Sequence, residues 1–240
     1  MTRGMGIKVF ADGADTVGML EMYENPLISG FTTNPTLMRK AGVTDYLAFA
    51  KAVVKAIPDK PISFEVLSDE FEEMERQARV LAELGENVFV KVPVMNTRGT
   101  FAGPLVRRLT TEGVKVNVTA LLSIEQVTSV AECLGDAPAY VSVFAGRVAD
   151  TGRDPVPLMT DALNLLRPRP NVELIWASPR ELLNIVQAAE IGCHVITATN
   201  DILRKLSLVG KDLHEYSLET VKMFHDDARD AGFELDSRAG

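Results

Sequence analysis

One lysine stands out among the residues that could do chemistry. Lys91 interrupts the run VFVKVPV, which otherwise has the composition of a buried strand. Lysine is almost never fully buried unless it is paired or used. Either the side chain reaches a solvent rim or pairs with Glu65 or Asp12, or it is a nucleophilic amine. An amine in an apolar site gives up its proton more readily than in water, and a neutral amine is what attack on a carbonyl requires.

Two carboxylates belong with this lysine. Asp12 ends the apolar run IKVFAD, and Glu65 lies in the run PISFEV. Carboxylates at the mouth of a site can move the protons that imine formation and carbon–carbon cleavage require. The alternatives are an ion pair with Lys91 or, for Asp12, a cap on the following helix.

Two arginines and a serine indicate an anion site. Arg147, Ser178 and Arg180 follow two later apolar runs. Guanidinium groups and a hydroxyl near a helix start suit a phosphate dianion. The alternative is surface salt bridges with Asp150 or Asp154.

The histidines and cysteines do not suggest metal or thiol chemistry. His194, His214 and His225 are far apart in the sequence, without the close spacing of zinc ligands. His194 lies in an apolar run and is expected to be a hydrogen-bonded core residue. Cys133 and Cys193 are expected to be buried free thiols. The sequence therefore predicts no metal and no cofactor.

The elements that must position these residues alternate between apolar runs and helical segments. A chain of this length with eight βα units predicts an α/β fold, a single (β/α)8 TIM barrel with an extra C-terminal helix. An open doubly wound sheet is the alternative, but no GxGxxG or GxxxxGK[ST] turn is present. A capping box at Ser217 is expected to start the C-terminal helix. The eight runs are IKVFAD, SGFTTN, PISFEV, NVFVKVPV, VKVNVTAL, AYVSVFAG, VELIWAS and CHVITAT.

Length and composition exclude several classes of protein. The chain has 240 residues, a net charge of −8 and 46% hydrophobic residues, without a Pro/Gly/Ser-rich linker. These values predict one domain over residues 1–240 and argue against a disordered chain. The acidic balance argues against nucleic acid as a partner. No apolar window is long enough for a membrane span, and the N-terminus lacks a signal-peptide core, so we expect a cytoplasmic protein without a membrane partner.

Eight segments together resemble the transaldolase family, and specifically its short bacterial members related to fructose-6-phosphate aldolase. They occur in family order from Ile7 to about Leu235. TTNP and the KVP after an apolar run are informative together, and the ordered set is far more specific than either. The segments are FADGAD, GFTTNPTLM, SFEV, VFVKVPV, VNVTALLS, SVFAGRVAD, ASPREL and SLETVKMF.

The resemblance implies roles for individual residues. Lys91 matches the Schiff-base lysine, and Asp12 the first-strand acid/base. Glu65 matches a carboxylate that works through a water, and Thr119 the hydroxyl beside that water. The other predicted residues are substrate-binding: Asn34, Asn117 and Ser142 at the dihydroxyacetone hydroxyls, Phe144 beside the enamine, Arg147, Ser178 and Arg180 at the phosphate, and Thr33 without a more specific role.

The implied activity is transfer of a dihydroxyacetone unit from sedoheptulose 7-phosphate or fructose 6-phosphate to an aldose phosphate, as in the pentose phosphate pathway. The sister aldolases carry Gln and Tyr where this chain has Glu65 and Phe144, so both positions favour transfer. The alternatives are such an aldolase, an enzyme of a specialised sugar pathway, suggested by departures such as Gly13 and Pro179, and a non-catalytic sugar-phosphate-binding barrel.

The resemblance also implies partners. These are small sugar phosphates and further copies of the same chain, arranged as a ring of five or a pair of such rings. Leu218, Val221 and Phe224 lie at three-residue spacing in the C-terminal segment. This spacing fits a helix that docks on its own barrel or on a neighbour.

Overall fold

Eight parallel strands pair in chain order and close into a barrel. The computed structural model describes residues 6–233 and residue 235. Closure is direct, because β1 pairs with both β2 and β8. The predicted (β/α)8 barrel is therefore confirmed, and the open sheet is excluded. The strands are β1 (Lys8–Asp12), β2 (Ile28–Thr32), β3 (Ile62–Glu65), β4 (Val88–Pro93), β5 (Val116–Leu121), β6 (Ala139–Val143), β7 (Val172–Trp176) and β8 (Val195–Thr199).

Helices connect consecutive strands, and a longer helix follows the barrel as predicted. A short 3-10 helix, Lys205–Leu208, precedes this last helix. The helices are α1 (Thr16–Tyr23), α2 (Pro35–Lys40), α3 (Tyr46–Ala56), α4 (Phe71–Ala82), α5 (Gly103–Thr111), α6 (Ile124–Ala131), α7 (Ala145–Ala149), α8 (Pro155–Leu166), α9 (Leu183–Glu190), α10 (Asn200–Arg204) and α11 (Leu213–Asp230).

Polar side chains fix where several helices begin. The Asn34 side chain accepts a hydrogen bond from the Leu37 amide and so caps α2, with Pro35 in its first turn. The capping box predicted at Ser217 is wrong, because this residue lies inside α11. The helix begins four residues earlier, at Leu213, and the preceding Asp212 accepts hydrogen bonds from the amides of His214 and Glu215. A carboxylate satisfies the free amides of the first turn as well as a serine does.

The barrel interior is layered. Its lower layer is an apolar cluster that includes Phe10, Phe89 and Tyr140. The Phe10 and Tyr140 rings meet edge to face at 5.7 Å between centroids. Because strand side chains alternate between two faces, the residues two positions further along each strand also point inward. They form a second layer towards the carboxyl ends of the strands, and this layer is largely polar.

The chain falls into two compact units that divide between Arg204 and Lys205. The first holds the barrel with α1–α10, and the second holds α11; the single domain remains a prediction. Within the described residues, no helix is long and apolar enough to cross a bilayer.

The predictions for His194 and the cysteines hold in part. His194 is half-buried, and its Nδ1 accepts the Leu174 amide at 3.0 Å, so it is a hydrogen-bonded residue as expected. Both cysteines are free, and Cys193 is buried. Cys133 is only partly buried, because it lies just beyond the end of α6.

Candidate active site

A cavity of about 670 Å³ opens at the carboxyl ends of the barrel strands. All eight strands or the loops that follow them contribute to its wall. This is the end of a (β/α)8 barrel where catalytic groups collect. The polar residues that line it are Asp12, Thr32, Asn34, Thr36, Lys40, Glu65, Lys91, Thr119, Ser142, Arg147, Ser178, Arg180, Thr197, Thr199 and Asp201.

Lys91 lies at the bottom of this cavity with 6% of its surface exposed. Its Nζ donates to the Thr33 carbonyl at 2.7 Å and lies 3.1 Å from Oε2 of Glu65. The strand register produces this pair, because Glu65 on β3 is the direct neighbour of Lys91 on β4. The ion pair considered from the sequence is therefore present. It also gives the ammonium group an adjacent carboxylate that can accept its proton.

Asp12 lies on the same wall, at the end of β1. Its Oδ1 accepts the Thr32 hydroxyl at 2.8 Å, and this hydroxyl lies 2.5 Å from that of Thr197. Burial raises the pKa of Asp12 above its usual 3.8, although the charge of Lys91 and the bond from Thr32 act in the opposite direction. Asp12 does not cap α1, since Asp15 does so. A carboxyl group with a raised pKa is suited to exchanging protons.

Two of the predicted binding residues do not line the cavity. Asn117 is fully buried one layer deeper, where it donates to Ser63 at 3.0 Å and accepts from Ser142 at 2.7 Å. Thr33 points to the other face of β2, and its hydroxyl donates to the Ser63 carbonyl at 2.9 Å. Their structural surroundings are buried hydrogen bonds, and a direct contact with substrate stays a prediction.

Thr119 lies differently from these two residues, because it lines the cavity. Its buried hydroxyl has no hydrogen-bond partner. A buried hydroxyl without a partner is costly to leave unpaired. This atom is therefore placed to bind a polar atom of a molecule inside the cavity.

The three residues predicted for an anion lie together on the β6 and β7 side of the mouth. Arg180 forms a two-pronged ion pair with Asp150, from Nε at 2.9 Å and Nη2 at 2.5 Å. One of the salt bridges considered from the sequence is thus present. This ion pair uses Nε and Nη2 of Arg180 and leaves Nη1 available to bind an anion. Arg147 lies over the Phe144 ring, with its guanidinium carbon 5.7 Å from the ring centroid. The hydrogen bonds and the charge of Arg180, with a smaller contribution from the charge of Arg147, lower the pKa of Asp150 below its usual range.

The backbone is unusual at two positions of the cavity wall, one of them at the anion end. Among the described residues, the two non-glycine positions with positive φ are Ala120 (65°) and Ser178 (59°), and both line the cavity. Such conformations are strained for residues with a Cβ and collect at functional sites. The Arg180 amide donates to Asn184 at 2.8 Å, which fixes the turn beyond Ser178.

Thr32, whose hydroxyl donates to Asp12, was not among the residues predicted for the site. The signal was available, because Asn34 was expected at the barrel mouth and alternate residues of a strand share a face. That period places Thr32 inside with Asn34, and Thr33 outside. Lys40, at the end of α2, was also not predicted as a cavity residue.

No group of three or more His, Cys, Asp and Glu side chains is placed to hold a metal ion in the part of the chain that the structure describes.

The fold and the site define a class of barrel with a buried lysine–carboxylate pair beneath an arginine-rich mouth. The model of the transaldolase/fructose-6-phosphate aldolase family matches residues 9–239. The chain therefore belongs to this family, as the resemblance implied.

Curated relatives agree over almost the whole chain. A "Probable transaldolase" of Thermoanaerobacter sp. strain X514 is 34% identical over 230 residues, which is 95% of this chain and 100% of that protein. A protein of the same description from Methanococcus maripaludis strain C7 is 35% identical over 83% of this chain and 89% of its own. Among solved structures, a "putative lyase/mutase" from Burkholderia cenocepacia J2315 matches with a TM-score of 0.59 at 12% identity, covering 98% of this chain and 87% of that one, which shows the fold alone.

Proposed function

We propose that this protein is a transaldolase that transfers a dihydroxyacetone unit from a ketose phosphate to an aldose phosphate through a Schiff base on Lys91. Family membership supports the reaction class. The observation that carries the proposal is the buried Lys91 amine, 3.1 Å from the Glu65 carboxylate, in a cavity that also holds Asp12. A binding protein would have no need for a lysine buried at such a desolvation cost.

The first half of the reaction forms the Schiff base. The Lys91 ammonium group passes a proton to Glu65, and the neutral amine attacks C2 of the ketose. The resulting carbinolamine loses its hydroxyl as water, with the proton returned from Glu65, and leaves a positively charged iminium. The orphan hydroxyl of Thr119 is a candidate to hold that water.

The second half breaks and remakes a carbon–carbon bond. Asp12 takes the proton of the C4 hydroxyl, and the electrons of the C3–C4 bond move into the iminium, which becomes a neutral enamine. The aldose phosphate leaves. The enamine then attacks the carbonyl carbon of a second aldose, Asp12 returns the proton to the new hydroxyl, and hydrolysis of the iminium releases the product.

The anion end supplies binding energy away from the bond that breaks. Arg147 and Arg180 are proposed to hold the phosphate, and energy from such remote groups can be used to orient the reacting carbons. This arrangement predicts that phosphorylated sugars are preferred over their unphosphorylated analogues.

An aldolase that releases free dihydroxyacetone is the second candidate, because it shares every step up to the enamine. Phe144 lines the cavity and is half-buried, with an apolar ring and no proton to donate. An apolar wall slows protonation of the enamine and leaves time for a second aldehyde to bind. We therefore favour transfer over release.

Borohydride trapping tests the proposal. Treatment with fructose 6-phosphate and borohydride should add a dihydroxyacetone-sized mass on Lys91, located by peptide mapping. Lys91→Ala should abolish the adduct, and Lys40→Ala, which removes the other lysine of the cavity wall, should keep it. Absence of an adduct with fructose 6-phosphate, sedoheptulose 7-phosphate and free dihydroxyacetone would contradict the mechanism.

Product analysis separates the two candidate functions. Incubation with fructose 6-phosphate alone should release little free dihydroxyacetone, whereas addition of an aldose phosphate should give rapid transfer. Equal rates of release with and without the acceptor would favour the aldolase.

A further inference from the structure

The backbone of Glu65 is held differently on its two sides. On the β4 side, Glu65 is in register with Lys91, and the next amide, that of Val66, donates to the Lys91 carbonyl at 3.1 Å. On the β2 side, the register ends two residues earlier, at the pair Thr32 and Ser63. The residue that contacts the amine therefore lies at the end of a four-residue strand, where pairing with β4 continues and pairing with β2 has stopped.

A proline removes the donor that would continue the ladder on the β2 side. The Phe31 amide donates to the Pro61 carbonyl at 2.8 Å, and the Thr33 amide to the Ser63 carbonyl at 3.1 Å. Both the donor and the acceptor advance by two residues from one bond of this ladder to the next. The next bond would therefore join the amide of residue 35 to the Glu65 carbonyl. Residue 35 is proline, which has no N–H.

Tyr46 supplies a donor in place of the missing amide. Its hydroxyl donates to the Glu65 carbonyl at 2.7 Å. The hydroxyl comes from α3, the helix that leads into β3, and not from the neighbouring strand. Burial raises the pKa of Tyr46 above its usual 10.0, so the phenol keeps its proton and remains a donor at neutral pH.

The rest of the Tyr46 side chain is also fixed. Its ring lies edge-on to Phe64, the residue before Glu65, with 6.5 Å between centroids and 85° between planes. Asp45 caps α3 through the Ala48 amide at 2.9 Å, which secures the first turn of the helix. Tyr46 thus holds two consecutive residues of β3, one by its ring and one by its hydroxyl.

We propose that Tyr46 is a positioning residue for Glu65. Its hydroxyl replaces the ladder bond that Pro35 cannot make, and so keeps the Glu65 carboxylate within reach of Lys91. The inference rests on the proposed function, in which Glu65 carries the amine proton. Because the working distance is 3.1 Å, a shift of about 1 Å at the strand end would be costly.

The first test is Tyr46→Phe, which keeps the ring against Phe64 and removes only the hydroxyl. We expect kcat for transfer and the rate of borohydride-trappable imine formation to fall about tenfold, while KM for fructose 6-phosphate stays within about twofold. Tyr23→Phe is a matched control. It also removes a 2.7 Å hydroxyl bond, to Asp59 on the surface, and Tyr23 lies outside the cavity wall. Rates are measured at a temperature at which thermal melts show each variant folded.

Testing the same substitution in a Glu65→Gln enzyme separates positioning of Glu65 from a general structural effect. Tyr46→Phe in a Glu65→Gln enzyme should cost less than about twofold, because the hydroxyl acts through the carboxylate that is already lost. Two results would overturn this inference alone. One is that Tyr46→Phe lowers kcat by the same factor in the parent and in the Glu65→Gln enzyme. The other is that Tyr46→Phe leaves kcat of the parent unchanged although Glu65→Gln lowers it. A Glu65→Gln enzyme as fast as the parent would instead overturn the proposed function.

Discussion

Lys91 illustrates how a charged side chain can be kept in a barrel interior. Its Nζ has a carbonyl at 2.7 Å and a carboxylate at 3.1 Å, so desolvation of the ammonium group is offset by two close acceptors. In the mechanism that we propose, the Glu65 carboxylate also takes the proton that the amine must lose before it attacks a carbonyl, whereas the Thr33 carbonyl only accepts a hydrogen bond.

Lys91→Met separates the loss of the nucleophilic amine from a loss of folding. Methionine fills a similar volume without an amine, so we expect a folded barrel with turnover lost by at least about 10³-fold. Activity is followed by transfer from fructose 6-phosphate, and folding by circular dichroism. Retained turnover in a folded variant would show that another group carries the chemistry.

Asp12→Asn should inactivate the enzyme and stabilise it. Burial raises the pKa of Asp12, so ionisation of this carboxyl is less favourable in the folded chain than in the unfolded one. The ionised carboxylate therefore lowers the free energy of unfolding at neutral pH, and asparagine removes this penalty. The Tm of the variant should exceed that of the parent at pH 7, by an amount that shrinks as pH falls towards the usual 3.8.

Thermal melts from pH 7 to pH 4.5 show whether the Tm of Asp12→Asn lies above or below that of the parent. A variant less stable than the parent at pH 7 would mean that the attraction of Lys91 outweighs burial. Asp161→Asn, at an exposed position on α8, is the control and should show no such pH-dependent gain.

At the residue scale, the sequence predicted which residues form the centre of the site better than it predicted their contacts. Lys91, Glu65 and Asp12 could be placed at one mouth because the ends of parallel strands meet there. The inward position of Thr32 and the depth of Asn117 could be predicted only by knowing which face of its strand each residue occupies. The alternation within β2 contains part of that information, whereas depth depends on the stagger between strands, which no single run of sequence encodes.

At the scale of elements, the anion end depends on a close approach between two loops. A Cβ built on Gly146 in α7 would lie 1.6 Å from the Ser178 carbonyl oxygen. The turn that holds Ser178 and Arg180 can therefore pack against α7 only because residue 146 is glycine. The left-handed Ser178 backbone is part of the same arrangement.

Gly146→Ala should push this turn away from α7. We expect KM for fructose 6-phosphate to rise about tenfold or more, whereas trapping of free dihydroxyacetone, which has no phosphate, should change little. Gly13→Ala is the matched control, since a Cβ there meets nothing within 4 Å. Equal losses with the phosphorylated and unphosphorylated ligands would contradict a role confined to the anion end.

Helix boundaries show what sequence patterns resolve at this scale. The start of α6 has a complete capping box, in which Ser123 and Gln126 make both reciprocal bonds. A similar reading of Ser217 failed, because a serine followed by an acidic residue also occurs in helix interiors. The true cap of α11 is the Asp212 carboxylate, five residues before the predicted one. Local motifs therefore predict that a helix exists more reliably than where it begins.

At the scale of the whole molecule, barrel closure follows from the number of βα units more than from any one of them. Each apolar run predicted a buried strand. Eight buried parallel strands favour a closed barrel, because a closed sheet has no edge strand. The structure closes the first strand on the last with five register pairs, from Lys8–Val195 to Asp12–Thr199. Closure brings Asp12 beside Thr199 and completes a cavity to which all eight strands or the loops after them contribute.

The surface of α11 raises the question of assembly. Leu218, Val221 and Phe224 are 50%, 60% and 62% exposed on one side of this helix. The opposite side carries Asp226 and other charged residues. A row of exposed apolar side chains on one face of a helix is typical of a surface that another element covers. We propose that copies of this chain supply that cover.

We expect light scattering to give five or ten times the mass of one chain. Phe224→Asp should lower the measured mass, because a carboxylate in the covered face would be buried without a partner. Asp226→Asn, on the charged side of the same helix, should leave the mass unchanged. Both variants are compared with the parent at the same concentration, since assembly follows mass action. A parent that runs as a single chain, or a Phe224→Asp variant with undiminished mass, would assign the exposed apolar face of α11 another role.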